Sequence, residues 1–295
     1  MSTVDRRRFL QTSAVIAAGL SSASLPANWC LGQSEQSKPS KMRFGLVTYK
    51  WGADWDLPTL LANCQTAGAE GVELRTTHKH GVEPSLNADQ RREVKARFAD
   101  SPVTLVGLGS AEDFHSPEPS KLAASIEATK AFINLSHDVG GSGVKVRPND
   151  LPDGVPPEKT IEQIGRALNV VGAYGADHGQ QIRLEIHGKK TSPLPLIAAI
   201  MQVADHPNVA LCWNGNPEDL KGEGLAHNFK LVEKRLGATT HSHDLGGTSY
   251  PYAELFALLK AANYKGWILE EASDSPPDRV AALAKEREAF DALLR

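Results

Sequence analysis

Few residue pairs in this chain could do chemistry, and the most suggestive lies in "LEIHG", residues 184 to 188, where Glu185 and His187 stand two apart between an apolar run and a glycine. Two-residue spacing puts both side chains on one face of a strand. Comparable pairs recur along the chain: Glu73 and Arg75, Lys145 and Arg147, Cys212 and Asn214, His241 and His243. "GWILEEA" adds Glu270 and Glu271, of which alternation lets only one share the inward face. Such residues are costly to bury without partners, so a common site would explain them. A carboxylate from one strand, an amide oxygen from the next, an imidazole and a second carboxylate make a mixed oxygen and nitrogen donor set suited to Mn²⁺, Mg²⁺, Co²⁺ or Zn²⁺.

These residues must be positioned by elements, and the chain supplies them. β-like runs occupy 43–49, 71–76, 103–109, 143–148, 182–188, 209–214, 238–245 and 266–272, with amphipathic stretches between them. Leu57, Leu60, Leu61 and Cys64 repeat at helical spacing, as do Leu255, Leu258 and Leu259. Gly68, Gly140 and Gly179 stand where helix-ending left-handed caps are expected. Eight strand and helix units in residues 43 to 295 predict a single (β/α)₈ TIM barrel. A doubly wound open sheet would show a glycine-rich phosphate loop after the first strand, and "TYKWGADW" has none. In such a barrel the active groups lie at the C-terminal strand ends, where the paired residues fall.

The first 42 residues read as an address and a polar leader. Arg6 and Arg7 precede Phe9 and Leu10 and a short Ala-rich stretch, which resembles a twin-arginine export signal. The stretch is about twelve residues and falls short of the roughly 20 that span a bilayer, so no stable membrane insertion is expected. Ala27, Asn28 and Trp29 before Cys30 do not form a lipoprotein box, and cleavage is expected between Ala23 and Gln33. The expectation is a periplasmic or otherwise exported protein that meets the twin-arginine machinery transiently. Export favours an unphosphorylated substrate. Beyond the leader only Cys64 and Cys212 remain, too few for a disulfide framework. With 41% hydrophobic and 23% charged residues and a net charge of −3, the composition is that of a globular protein without a basic patch for nucleic acid.

From Arg43 onward the sequence resembles the sugar isomerase and epimerase proteins of the xylose isomerase-like barrel superfamily, which are related to endonuclease IV. "LEIHG" is similar to that family's Glu-x-His-Gly, "HSHDL" to its His-x-Lys-Asp, and "GWILEEA" to its Gly-Trp-aliphatic-Glu ending. The resemblance implies Glu185, His241 and Glu271 as metal ligands, Glu271 being five residues after Gly266 as in the family. Where the family has a ligating Asp, this chain has Asn214, and where a His often follows, it has Pro217. A neutral amide would leave the ion less compensated and a stronger Lewis acid.

What the resemblance implies is an exported, divalent-metal-dependent isomerase or epimerase acting on an unphosphorylated sugar or keto-sugar through an enediolate. Glu185 and Glu271 are the acid/base pair, with His78, His80, Lys145, Arg147, His187 and His243 as substrate-binding groups. Trp51, Trp55 and Trp213 are read either as an apolar wall for the sugar or as core packing. The alternatives are a metal-dependent lyase or hydrolase of a 3-keto-glycoside by β-elimination, and a non-catalytic sugar-binding barrel. A nuclease is disfavoured, since the further ligands of a three-metal site are not evident and the net charge is slightly acidic.

Overall fold

A computed structural model describes residues 42–295, and the Arg6 and Arg7 stretch read as an export signal lies outside them. Strands β1 (Arg43–Val47), β2 (Gly71–Arg75), β3 (Thr104–Asp113), β4 (Gly143–Arg147), β5 (Gln181–Glu185), β6 (Val209–Trp213), β7 (Leu236–Ser242) and β8 (Trp267–Glu270) close into a parallel barrel in sequence order. Helices α1 (Leu57–Ala67), α2 (Ala88–Ala99), α3 (Pro119–Val139), α4 (Pro157–Asp177), α5 (Leu194–Val203), α6 (Leu225–Val232), α7 (Tyr252–Ala261) and α8 (Arg279–Leu294) follow the strands in turn. The fold is a TIM barrel. Among the described residues no helix is long and apolar enough to cross a membrane.

Local chemistry sets the boundaries. Asp56 caps α1 by accepting from the Thr59 amide, and Gly68 ends it at φ 75°, a left-handed conformation that is costly for a residue with a Cβ. Gly140 ends α3 in the same way. Gly179 differs: α4 stops at Asp177, His178 caps it, and Gly179 turns the chain one residue later. The seventh strand ends at Ser242 rather than at 245 because Asp244 takes φ 53°, outside any strand conformation.

Apolar residues fill two separate spaces. The larger cluster lies between sheet and helices and includes Leu46, Leu60, Ile133, Leu168, Ile197, Leu211 and Phe290. A small one, Val47, Val106, Trp267 and Leu269, fills part of the barrel interior. Above it the interior turns polar. Arg183 is wholly buried and donates to Ser142 Oγ at 2.7 Å and to Gln181 Oε1 at 3.1 Å. It can lie there because β4 has no side chain at Gly143, where a Cβ would stand 2.9 Å from the guanidinium carbon. Packing thus comes mainly from the outer layer, which leaves the inner strand ends available for charged groups.

Candidate metal centre

Neighbouring strands in register bring the paired residues of the sequence to one level. Lys145 on β4 pairs with Arg183 on β5, Glu185 pairs with Cys212 on β6, and His241 on β7 pairs with Leu269 on β8. Glu185, His241 and Glu271 each offer a ligand atom, and these atoms all lie within 4.8 Å of one another in a buried space. His241 Nδ1 is 3.5 Å from Glu185 Oε1 and 3.3 Å from Glu271 Oε2. Lys145 Nζ donates to Glu185 Oε2 at 2.7 Å. On the far side of the imidazole, His241 Nε2 is 3.4 Å from Glu73 Oε1.

Charge within this space is unusually dense. Burial alone would raise the Glu185 carboxyl, but the Lys145 ammonium and His241 hold it well below its ordinary range. Burial would likewise lower Lys145, yet Glu185, Glu271 and Glu73 keep it raised. The His241 imidazole, which burial pushes down, is held well above its usual value by Cys212, Glu271 and Glu73. Glu271 is lowered, burial being outweighed by His241. Three carboxylates therefore surround one ammonium and one imidazole.

The donor set fits a divalent cation on the structure's own terms. Both nitrogens of His241 and both oxygens of Glu73 are buried without a hydrogen-bond partner. Unpartnered groups of this kind are costly in a protein interior, and a cation among Glu185, His241 and Glu271 would relieve the excess of negative charge. Two carboxylate oxygens and one imidazole nitrogen suit Mn²⁺, Mg²⁺, Co²⁺ or Zn²⁺.

The second acid of β8 faces the other way. Glu270 accepts from Ser242 Oγ at 2.9 Å and from the Asp244 amide at 3.1 Å, and burial together with Glu286 pushes its carboxyl well above the ordinary value. It braces the end of β7 from the helix side.

Asn214 is buried, and its side-chain oxygen and backbone carbonyl oxygen lie 3.1 and 3.0 Å from His243 Nε2. His243 Nδ1 donates to the Glu271 carbonyl at 2.7 Å, and its backbone amide donates to the Tyr252 hydroxyl at 2.6 Å. His243 thus ties the end of β6 to the chain after β8, and both its ring nitrogens contact protein. An added charge at Asn214 would sit beside this bracket. Asn214→Asp is expected to tighten divalent-metal affinity on the order of tenfold, because affinity follows ligand charge. Isothermal titration on the two proteins checks it, and equal affinities would assign the amide to the His243 bracket alone.

The remaining groups read from the sequence fall around the mouth. His80 donates through Nε2 to the Arg75 carbonyl at 2.8 Å and accepts at Nδ1 from the Val82 amide at 3.0 Å, so both nitrogens shape the loop after β2. His78 contacts Thr48 Oγ1 through Nδ1 at 3.1 Å, and burial, then His80 and Arg75, lower it to about 4. It is a neutral imidazole at neutral pH. Arg147 donates to the Ala111 carbonyl at 2.9 Å and keeps its Nε buried without a partner. His187 Nδ1 is also buried and unpartnered, and burial lowers that imidazole. Lys145 is engaged by Glu185.

Trp213 does not line the mouth. Cys212 beside it faces inward, so alternation sends the indole to the helix layer, where it packs on Phe229 at 5.5 Å and donates to the Tyr250 hydroxyl at 3.1 Å. Trp51 and Trp55 are buried too, the first donating to Asp274 at 3.1 Å and the second lying under Arg279.

Glu73 is the residue whose role the strand pattern left unassigned. Period-two alternation with Gly71 and Arg75 placed it on the inner face, but its approach to His241 joins β2 to β7 across the barrel and carries no local signature.

The fold and the buried carboxylate and imidazole group together define a (β/α)₈ barrel with a candidate metal centre at its interior strand ends. The chain belongs to the xylose isomerase-like TIM barrel family, which matches residues 61–215. Among solved structures it is similar to the 3-keto-D-glucoside 4-epimerase of E. coli, with 16% identity, a TM-score of 0.70, and coverage of 86% of this chain and 99% of that one. It is also similar to the D-allulose 3-epimerase of Methylomonas sp., with 19% identity, a TM-score of 0.71 and coverage of 86% and 99%. An L-ribulose 3-epimerase gives 19%, 0.72, and 86% and 94%. No curated protein sequence matches this chain significantly.

Proposed function

We propose that this protein is a divalent-metal-dependent sugar epimerase or isomerase acting on an unphosphorylated sugar or keto-sugar. The observation that carries this reading is the buried Glu185, His241 and Glu271 group, with Lys145 bound to Glu185, inside a barrel of this family. The three similar structures described above are epimerases of small sugars or a keto-glucoside, which agrees with it. A bound divalent ion would supply Lewis-acid polarisation of a carbonyl and an adjacent hydroxyl oxygen.

The chain's own groups would do the proton transfer. Glu185 and Glu271 are both held below the ordinary carboxylate range, so each is ionised at neutral pH and able to take a proton from the carbon beside a carbonyl. Return of a proton from the opposite face gives the epimer, and return to the neighbouring carbon gives the isomer. Lys145 fixes Glu185 Oε2, which leaves Oε1 as the oxygen nearest His241. His187 and Arg147 retain unpartnered nitrogens for substrate oxygens, whereas His80 and His243 serve the loops that surround the site.

Metal-supplemented protein should exchange solvent deuterium into free ketoses, aldoses or 3-keto-glycosides in D₂O, seen by NMR as loss of one carbon-bound proton signal with appearance of an epimer or isomer. Binding without exchange would assign a non-catalytic sugar-binding barrel, and release of an aglycone would assign the β-elimination reaction instead. Twin-arginine export to the periplasm belongs to the same proposal and rests on the Arg6 and Arg7 leader. N-terminal sequencing of protein recovered from the periplasm should begin between Ala23 and Gln33.

A further inference from the structure

We infer that Glu73 is a positioning residue for the candidate metal centre, holding a proton on His241 Nε2 so that Nδ1 faces Glu185 and Glu271 as an acceptor. The inference rests on the metal reading above. Glu73 has no exposed surface, and neither of its oxygens has a hydrogen-bond partner. A buried carboxylate in that condition is costly unless positive or polar groups lie near it; Lys145 and Arg183 feel its charge, and the ring nitrogen closest to it is His241 Nε2 at 3.4 Å. Its position is built into the neighbouring strand as well. At Gly109 a Cβ would stand 2.9 Å from Glu73 Oε1, so any other residue on β3 would contest the space the carboxylate occupies.

The two sides of the imidazole are not equivalent. Nδ1 faces Glu185 Oε1 at 3.5 Å and Glu271 Oε2 at 3.3 Å, both on residues of the candidate donor set, while Nε2 faces Glu73 Oε1 at 3.4 Å. A neutral imidazole has one N–H and one lone pair, and a metal ligand must present the lone pair. A carboxylate on the remote nitrogen settles which is which, fixes the ring plane and makes the ligand more basic. Glu73 comes from β2, which contributes nothing to the ligand set, so its role is to act through His241.

A purely structural role would make a different prediction, and the two separate on measurement. Full-length protein stripped with chelator is titrated with Mn²⁺, Co²⁺ and Zn²⁺ in turn, alongside Glu73→Gln and Glu73→Leu, and the melting temperature of each metal-free protein is recorded. Glu73→Gln keeps an acceptor without its charge and Glu73→Leu keeps neither, so affinity should fall in that order, within the range of about 10 to 100-fold typical of a group that orients a ligand. Metal-free Glu73→Gln should melt close to wild type, because the amide is nearly the same shape and neither Glu73 oxygen has a hydrogen bond to lose. Should Glu73→Leu fail to fold, Glu73→Gln alone decides. Wild-type protein that binds an ion while Glu73→Gln binds it equally well overturns the role of Glu73 and leaves the metal reading standing. Wild-type protein that binds none of the three ions overturns the metal reading itself, and this inference with it.

Discussion

Glu185→Gln is expected to release the metal and to lower turnover by about 10² to 10⁴-fold, the contribution of a positioned acid/base group. The substitution removes a negative donor from the set that also holds His241 and Glu271, and it replaces a carboxylate able to take a proton with an amide that cannot. The structure adds a cost, because Glu185 Oε2 is the acceptor for the buried Lys145 ammonium at 2.7 Å. The amide oxygen of Gln can still accept that bond, so the loss is of charge and not of the hydrogen bond, and about 1–3 kcal/mol of stability is the expected scale. Metal content by mass spectrometry, turnover with excess metal, and melting temperature on the same preparation separate the possibilities. A variant that melts earlier but keeps its metal and its rate would show that Glu185 serves Lys145 and has no part in the chemistry.

Much of this architecture was legible because barrel strands impose simple rules. Inward and outward residues alternate, so Glu185 pairs with His187 and Lys145 with Arg147 in the sequence itself, and only one of Glu270 and Glu271 can face inward, the family resemblance choosing Glu271. The same rule, applied to Cys212, would have sent Trp213 outward, away from any sugar wall. What alternation cannot express is contact across the barrel. Glu73 and His241 are on β2 and β7, and their approach depends on closure of the whole sheet and on the missing side chain at Gly109. The bracket in which His243 joins Asn214 to the Glu271 carbonyl is equally silent in sequence, since it uses a backbone oxygen that any residue would carry. Strand ends were misplaced where one residue's backbone turned the chain: Asp244 at φ 53° cut β7 short, while β3 ran on to Asp113 through a bulge against β4. A histidine at a strand end therefore says that polarity is wanted there, and only its partners say whether it serves substrate, metal or loop.

Lys145→Met should be the most destabilising single change at the site. Lys145 is fully buried among Glu185, Glu271 and Glu73, whose combined negative charge keeps its ammonium protonated against the cost of burial. Methionine fills a similar volume but leaves three carboxylates facing only His241. Removing one partner of a buried pair typically costs about 3–5 kcal/mol, which for a domain of this size corresponds to a fall of roughly 10 °C in melting temperature. Two further measurements show whether charge is the cause. Lys145→Met combined with Glu185→Gln should recover part of the loss, since the double variant no longer carries the unpaired Glu185 charge. Saturating divalent metal should raise the melting temperature of Lys145→Met by more than it raises that of wild type, because the ion replaces the positive charge that was removed and binds the folded state alone. If the double variant melts lower than either single one, and metal raises all of them equally, Lys145 acts by packing. In that event the carboxylates of the barrel are not coupled through it, and the electrostatic account of this site fails at its centre.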